Sequence, residues 1–400
     1  MQLRHEDGST IWLAYAMNVH AGGDAATFES AIDEVVAPLR TQLGVSGPFG
    51  LATRFDAAGI RALATDTALR ERMGAQLSEA DLVPFSGNAF VLGRFHGAPL
   101  KDAVYAPPWG HPDRTSYTLM YAAVLAAWRA PDAVLSLSTA PGSWRGWRES
   151  ADAAGLRAGA LVTCAAGLQA LEARTGVRVR LGLEPEPRCS IETIDELVAF
   201  FEGPLARALE SAPELRTWLG VCYDACHQAV MHEPAEEALA RLAAAGIDIV
   251  KFQASSALEV AEPDAAARAA LAAFDEPIYL HQVAAPDDAG RVHVAQDLSA
   301  VLGDKSGLWM QRRPWRIHYH VPIFRAAAVP PLGTTQGELR VGLRAALEAR
   351  QVQHVEIETY TFDVLPAAER DAGSGRDLVA ALVREYETAL EIAAGAGFRP

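Results

Sequence analysis

The sequence predicts an α/β protein folded as a (β/α)8 TIM barrel, and three observations predict it. Eight short β-like runs alternate with amphipathic segments, apolar and polar side chains alternate within the runs, and polar residues gather where the runs end. Eight is the number of strands that closes a parallel barrel, with a doubly wound open sheet as the structural alternative. Four hundred residues suit one large barrel or two domains, and the reading adopted is one domain over residues 1–400.

The strands are expected near 11–18, 49–54, 83–89, 133–139, 177–184, 217–224, 247–253 and 354–360. In "IWLAYAMNVH" the residues Ile11, Leu13, Tyr15 and Met17 alternate with Trp12, Ala14, Ala16 and Asn18. In "VRVRLGLEPEP" Val177, Val179, Leu181 and Leu183 alternate with Arg178, Arg180, Gly182 and Glu184, and in "HVEIETY" Val355 and Ile357 alternate with Glu356 and Glu358. Successive strand residues face opposite sides, so the apolar set should meet the outer helices and the other set should point into the barrel. Arg178 and Arg180 would then neutralise inward carboxylates. Between the strands, "FESAIDEVVAPLRTQL" and "AEEALARLAAAG" carry apolar residues at helical spacing, and the second stops at Gly246.

One interval is too long for a single helix. Residues 254–335 read as the seventh strand's helix plus an insertion over about 276–330, close to the C-terminal mouth. Within it, "EPIYLHQVAAPDDAGRVHVAQDL" reads as two β segments around a turn, and "WRIHYHVPIF" as a third. In the last of these, His318 and His320 share one face while Ile317, Tyr319 and Val321 share the other. The imidazoles should look onto the mouth, with His281 on a neighbouring strand.

Composition narrows the function. A net charge of −15 argues against a nucleic-acid surface and suits a metal-dependent protein acting on a small-molecule metabolite. No uninterrupted apolar run reaches about 18 residues, so the chain is expected not to be membrane-embedded. "MQLRHEDGST" is not a secretory signal, which makes a cytoplasmic location the default. The four cysteines, Cys164, Cys189, Cys222 and Cys226, read as buried thiols and not as a disulfide framework or zinc knot.

The strand-end polar residues are Asn18, His20, Arg54, Asn88, Ser138, Thr139, Glu184, Glu186, Asp224, His227, Lys251, Gln253, Glu356 and Glu358. Parity in "WLGVCYDACH" turns Cys222 and Asp224 inward and leaves His227 on the loop that follows. Glu184, Asp224 and Glu358, with the Gln253 carboxamide, form an oxygen-rich set at one mouth. Such a set suits a divalent metal, Mg²⁺ or Mn²⁺, with Zn²⁺ or Fe²⁺ favoured by an adjoining imidazole.

These residues resemble the xylose isomerase-like TIM barrels, which include sugar isomerases, ketose 3-epimerases and endonuclease IV. The epimerase branch carries Glu after strand five, Asp-x-x-His at strand six, His at strand seven and Glu at strand eight. Glu184, Asp224 with His227, and Glu358 match, whereas "IVKFQASSA" places Gln253 where the resemblance implies a histidine. His318 or His320 is then the candidate to supply the missing imidazole. "YAMNVHAGGD", "GRFHGAPLKDAVYAP", "STAPGSWRGW", "HYHVPIF" and "ETYTFDVLP" are similar to the EboE family of metabolite-traffic proteins. That resemblance implies a part in making or exporting a secondary metabolite, and contact with pathway proteins at the membrane.

The function expected is isomerase or epimerase chemistry on a sugar-, polyol- or cyclitol-like metabolite. Glu184 or Glu358 would move a proton from carbon, and His227 would bond the substrate oxygen. Asn18, His20, Asn88, Arg145, Lys251 and His320 would bind substrate, Arg145 and neighbouring Arg148 by holding a phosphate or carboxylate. The alternatives are a non-catalytic protein that binds and hands over the metabolite, and a metal-dependent phosphoester hydrolase.

Overall fold

The computed structural model describes every residue except 98, 368 and 370–376. Its strands are β1 (Gln2–Arg4), β2 (Thr10–Tyr15), β3 (Phe49–Thr53), β4 (Leu82–Asn88), β5 (Val134–Thr139), β6 (Arg178–Leu183) and β7 (Leu219–Asp224). They continue with β8 (Ile249–Ala254), β9 (Leu258–Val260), β10 (Val283–Pro286), β11 (Val292–Ala295), β12 (Trp315–Ile317), β13 (Gly333–Thr334) and β14 (His354–Ile357). Strands β2, β14, β8, β7, β6, β5, β4 and β3 lie side by side in that order, all parallel, and a parallel bridge between Ala16 and Ala52 joins the two ends. The sheet is therefore a closed (β/α)8 barrel, with β1 as an antiparallel edge piece on β2.

Side-chain parity follows the alternation in the sequence. Ile11, Leu13, Tyr15, Val179, Leu181, Val355 and Ile357 belong to the core between barrel and helices. The opposite set fills the barrel in layers. At the bottom Trp12 stacks on Phe85 and the His354 ring meets Phe85 edge-on, next to Ala14 and Ala52. A side chain at Gly50 would sit 2.7 Å from the Phe85 ring, so only glycine leaves room for that layer. Above it, the Lys251 ammonium lies 2.7 Å from Glu356, both fully buried. Arg178 and Arg180 depart from expectation. They sit at the bottom rim, paired with Glu172 and Asp248, because strand starts lie far from the carboxylates at the mouth.

The helices follow their local chemistry. The segment around Phe28–Leu43 is one helix that widens to π-type over Ile32–Val36, where Pro38 has no N–H for the carbonyl of Glu34. Helix Ala153–Thr175 is long and apolar enough to cross a membrane by length and composition. Here its Leu161, Ala165 and Leu168 are buried in the barrel core, and Gly176 at φ 72° ends it before β6.

The excursion after β8 is wider than 276–330. A second sheet, entirely antiparallel, orders its strands β11–β10–β12–β9–β13 and so draws on chain from Leu258 to Thr334. Its own core contains Phe274, Trp315, Ile317 and Tyr319. Strand β12 stops at Ile317, and the chain beyond it runs alongside the barrel mouth, where the Val321 N–H donates to the Ser256 carbonyl.

Candidate metal and substrate site

Glu184 follows β6 directly, Asp224 ends β7, and Glu358 follows β14, so three parallel strands deliver carboxylates to one point. One oxygen from each lies within 4.8 Å of the others, and all three side chains are buried. Asp224 and Glu358 are each held by one oxygen and leave the other open, while Glu184 Oε1 lies 3.8 Å from His227 Nδ1. Asp224 Oδ1 accepts from the His227 N–H at 2.9 Å, capping the next helix, and from the Ser255 hydroxyl at 2.8 Å. Glu358 Oε1 accepts from the Asn18 amide at 2.6 Å. Glu184 Oε2, Asp224 Oδ2 and Glu358 Oε2 are buried and have no hydrogen-bond partner.

His320 brings a fourth atom. Its Nδ1 donates to the Glu358 carbonyl at 2.9 Å, which fixes the tautomer and leaves an acceptor lone pair on Nε2. That Nε2 is also buried without a partner. One atom of His320 lies within 4.8 Å of one atom each of Asp224 and His227. Asp224 thus belongs to two groups, one with Glu184 and Glu358 and one with His227 and His320, and orphaned carboxylate oxygens with an imidazole nitrogen are donor types that could hold a divalent cation. Two unit charges 4.8 Å apart repel by about 3 kcal/mol even at an effective dielectric near 20. Burial, then Glu358 and Asp224, hold the Glu184 pKa well above the carboxylate range; burial, then Asp224 and Glu356, do the same to Glu358.

The cavity above this point is about 60 Å³. Its floor is Glu184, Glu186, Glu358, His227, His318 and His320, and its walls include Phe90, Val91, Phe95, Leu280 and Tyr360. Asn18 and Asn88 also line it, the Asn88 side-chain Oδ1 accepting from the Phe90 N–H. Among the described lining residues the cations are Arg54 and Lys101. Arg54 donates to the Gly22 and Gly93 carbonyls, and Lys101 to two carbonyls and Asp297. Both are thus engaged with protein acceptors.

Several expected site residues lie elsewhere. Gln253 is inward, but its Oε1 accepts from the Cys222 thiol, and the group of that strand region that touches Asp224 is Ser255. Arg145 is exposed and bonded to Glu196 and the Cys189 carbonyl, because its loop folds back on the segment after β6. Lys251 lies one layer below the carboxylates, consumed by Glu356. His20 bonds Tyr15 at 2.8 Å in a separate recess with Gly22 and Asp24, and burial lowers its pKa to about 4. His281 turns from the mouth to bond Glu276 and lies against Tyr319.

The residues not anticipated are Tyr105 and Gln282. The Tyr105 hydroxyl donates to Glu186 at 2.5 Å, and the Gln282 amide donates to Tyr105 and to the Pro187 carbonyl. Neither sits at a barrel strand end, and "YLHQV" offered only its position beside His281.

No family model matches the chain, and no curated protein does. Among solved structures, the IOLI protein with a binding zinc atom shares 10% identity over 96% of this chain and 99% of its own, at a TM-score of 0.47. L-ribulose 3-epimerase shares 11% over 96% and 95%, at 0.47. D-allulose 3-epimerase from Methylomonas sp., in complex with D-allulose, shares 15% over 70% and 85%, at 0.39.

Proposed function

We propose that this protein is a metal-dependent isomerase or epimerase acting on a small, uncharged polyol-, sugar- or cyclitol-like metabolite. The observation that carries the reading is the set of four buried orphan atoms on Glu184, Asp224, Glu358 and His320 at the barrel mouth. A divalent cation held there, Mn²⁺, Zn²⁺, Fe²⁺ or Mg²⁺, would supply Lewis-acid polarisation of a hydroxyl–carbonyl pair. Glu184 and Glu358 then serve as the proton-moving groups. Burial and neighbouring carboxylates raise the proton affinity of both in the metal-free protein; with the cation in place one would stand ionised and take a proton from carbon while the other, protonated, returned one. Asn18 orients Glu358, and the aromatic and aliphatic walls exclude water from the reacting carbon. The commitment of Arg54, Lys101 and Arg145 to protein acceptors supports an uncharged ligand over a phosphate ester.

Deuterium exchange tests the reading. Metal-loaded protein in D₂O with a panel of 2-ketoses and cyclic hydroxyketones should place deuterium on the carbon beside the carbonyl of at least one compound. Tight binding without exchange across the panel would replace catalysis with the hand-over role. The EboE-like phrases support the pathway part of the proposal, the making or export of a secondary metabolite with partner proteins at the membrane.

A further inference from the structure

We propose a second divalent-cation site in the same cavity, held by His227 Nε2, His318 Nε2 and Glu186. The evidence is the hydrogen bonding of two rings. His227 Nδ1 faces the Pro185 carbonyl at 3.1 Å, an acceptor only, so Nδ1 carries the proton. His318 Nδ1 faces Gln282 Oε1 at 2.7 Å, and the orientation of Gln282 is set in turn by its amide donating to the Pro187 carbonyl. His318 Nδ1 is therefore also a donor. Each neutral ring then presents a lone pair at Nε2, and the two Nε2 atoms face each other at 3.0 Å. Two lone pairs at that separation repel unless a proton or a metal ion lies with them. Both rings are buried, which disfavours an imidazolium on either.

A metal ion satisfies both rings without an imidazolium. One ligand atom each of Glu186, His227 and His318 lie within 4.8 Å of one another, and all three side chains are buried. Glu186 is held as a ligand would be, with Tyr105 donating to Oε1. Charge counting points the same way. Glu184, Glu186, Asp224 and Glu358 carry four negative charges when ionised, while Lys251 and Glu356 cancel below them. One divalent cation and the lining Arg54 leave one of these charges uncompensated in a buried cavity, which a second cation would cover. Two histidines and one carboxylate suit Zn²⁺, Fe²⁺ or Co²⁺ better than Mg²⁺.

The count rests on the first centre; the ring geometry does not. The test is metal stoichiometry by inductively coupled plasma mass spectrometry, after dialysis of full-length protein against Zn²⁺ and then metal-free buffer. Wild type should retain two ions per chain, and His318→Ala and Glu186→Gln one each. Co²⁺ titration should show two absorbing sites in wild type and lose one in either variant. Glu186→Gln keeps the side-chain volume, and thermal melting checks that each variant folds. One ion in wild type that both variants retain would overturn the second site, assign the His227–His318 contact to a shared proton and leave the proposed reaction standing. One ion lost in His318→Ala and kept in Glu358→Gln would support the second site and overturn the first.

Discussion

His320 Nδ1 donates to the backbone carbonyl of Glu358 across 2.9 Å, joining the insertion to the last barrel strand at the carboxylate site. The bond leaves Nε2 a buried acceptor without a partner, as Asp224 Oδ2 and Glu358 Oε2 also are. In the proposed site, the imidazole expected on β8 would come from a segment more than sixty residues later in the chain. His320→Ala should weaken retention of the carboxylate-site metal by about 100-fold or more, read by competition with a chromophoric chelator. Unchanged affinity would remove His320 from the ligand set.

Glu184→Gln and Glu358→Gln should each cost metal affinity far more than Cys226→Ser. Cys226 can share a ligand group with His318 and His320 but with none of the three carboxylates, so its loss should leave the carboxylate site standing. Equal losses in the three variants, measured as metal per chain after gel filtration, would mean that Cys226 belongs to the centre.

Much of this site was legible in the sequence, and the reason is parity. Once "LGLE", "VCYD" and "VEIE" were read as parallel strands, period-two alternation placed Glu184, Asp224 and Glu358 at one mouth, and the closed barrel does so. Long-range pairing was not legible. Nothing in "GSWRGWRES" shows that Arg145 meets Glu196, and nothing in "KFQASSA" shows that Gln253 turns to Cys222 while Ser255 reaches Asp224. Strand ends also shifted. The run expected to reach residue 18 ends at Tyr15, because Met17–Val19 coils into a 3-10 turn that carries Asn18 over the barrel to Glu358.

The buried Lys251–Glu356 pair makes a stability prediction. Lys251→Met strands Glu356 in the barrel and should destabilise the fold by about 3–5 kcal/mol in denaturant titration. The double variant Lys251→Met/Glu356→Leu should recover most of that loss. Equal instability of the single and double variants would show that packing, and not charge, sets the cost.

Glu385 gives a pH signature away from the metal ligands' side chains. It is buried beneath Thr359, whose hydroxyl donates to it at 2.6 Å, and burial raises its pKa from 4.5 to about 7. The folded state therefore holds this proton more tightly than the unfolded state. Its contribution to stability is complete below about pH 4.5 and is lost as pH rises towards 7. Glu385→Gln should flatten the decline in stability across that window, measured by urea unfolding at several pH values. Parallel wild-type and variant curves would contradict the assignment.

The central claim is that Glu184, Asp224, Glu358 and His320 hold a divalent cation, and anomalous diffraction tests it most directly. Crystals grown with Mn²⁺ or Zn²⁺ and measured on either side of the metal's absorption edge should show a peak within bonding distance of all four side chains. An edge-dependent map with no peak there, at metal concentrations that saturate other carboxylate–histidine centres, would contradict the account.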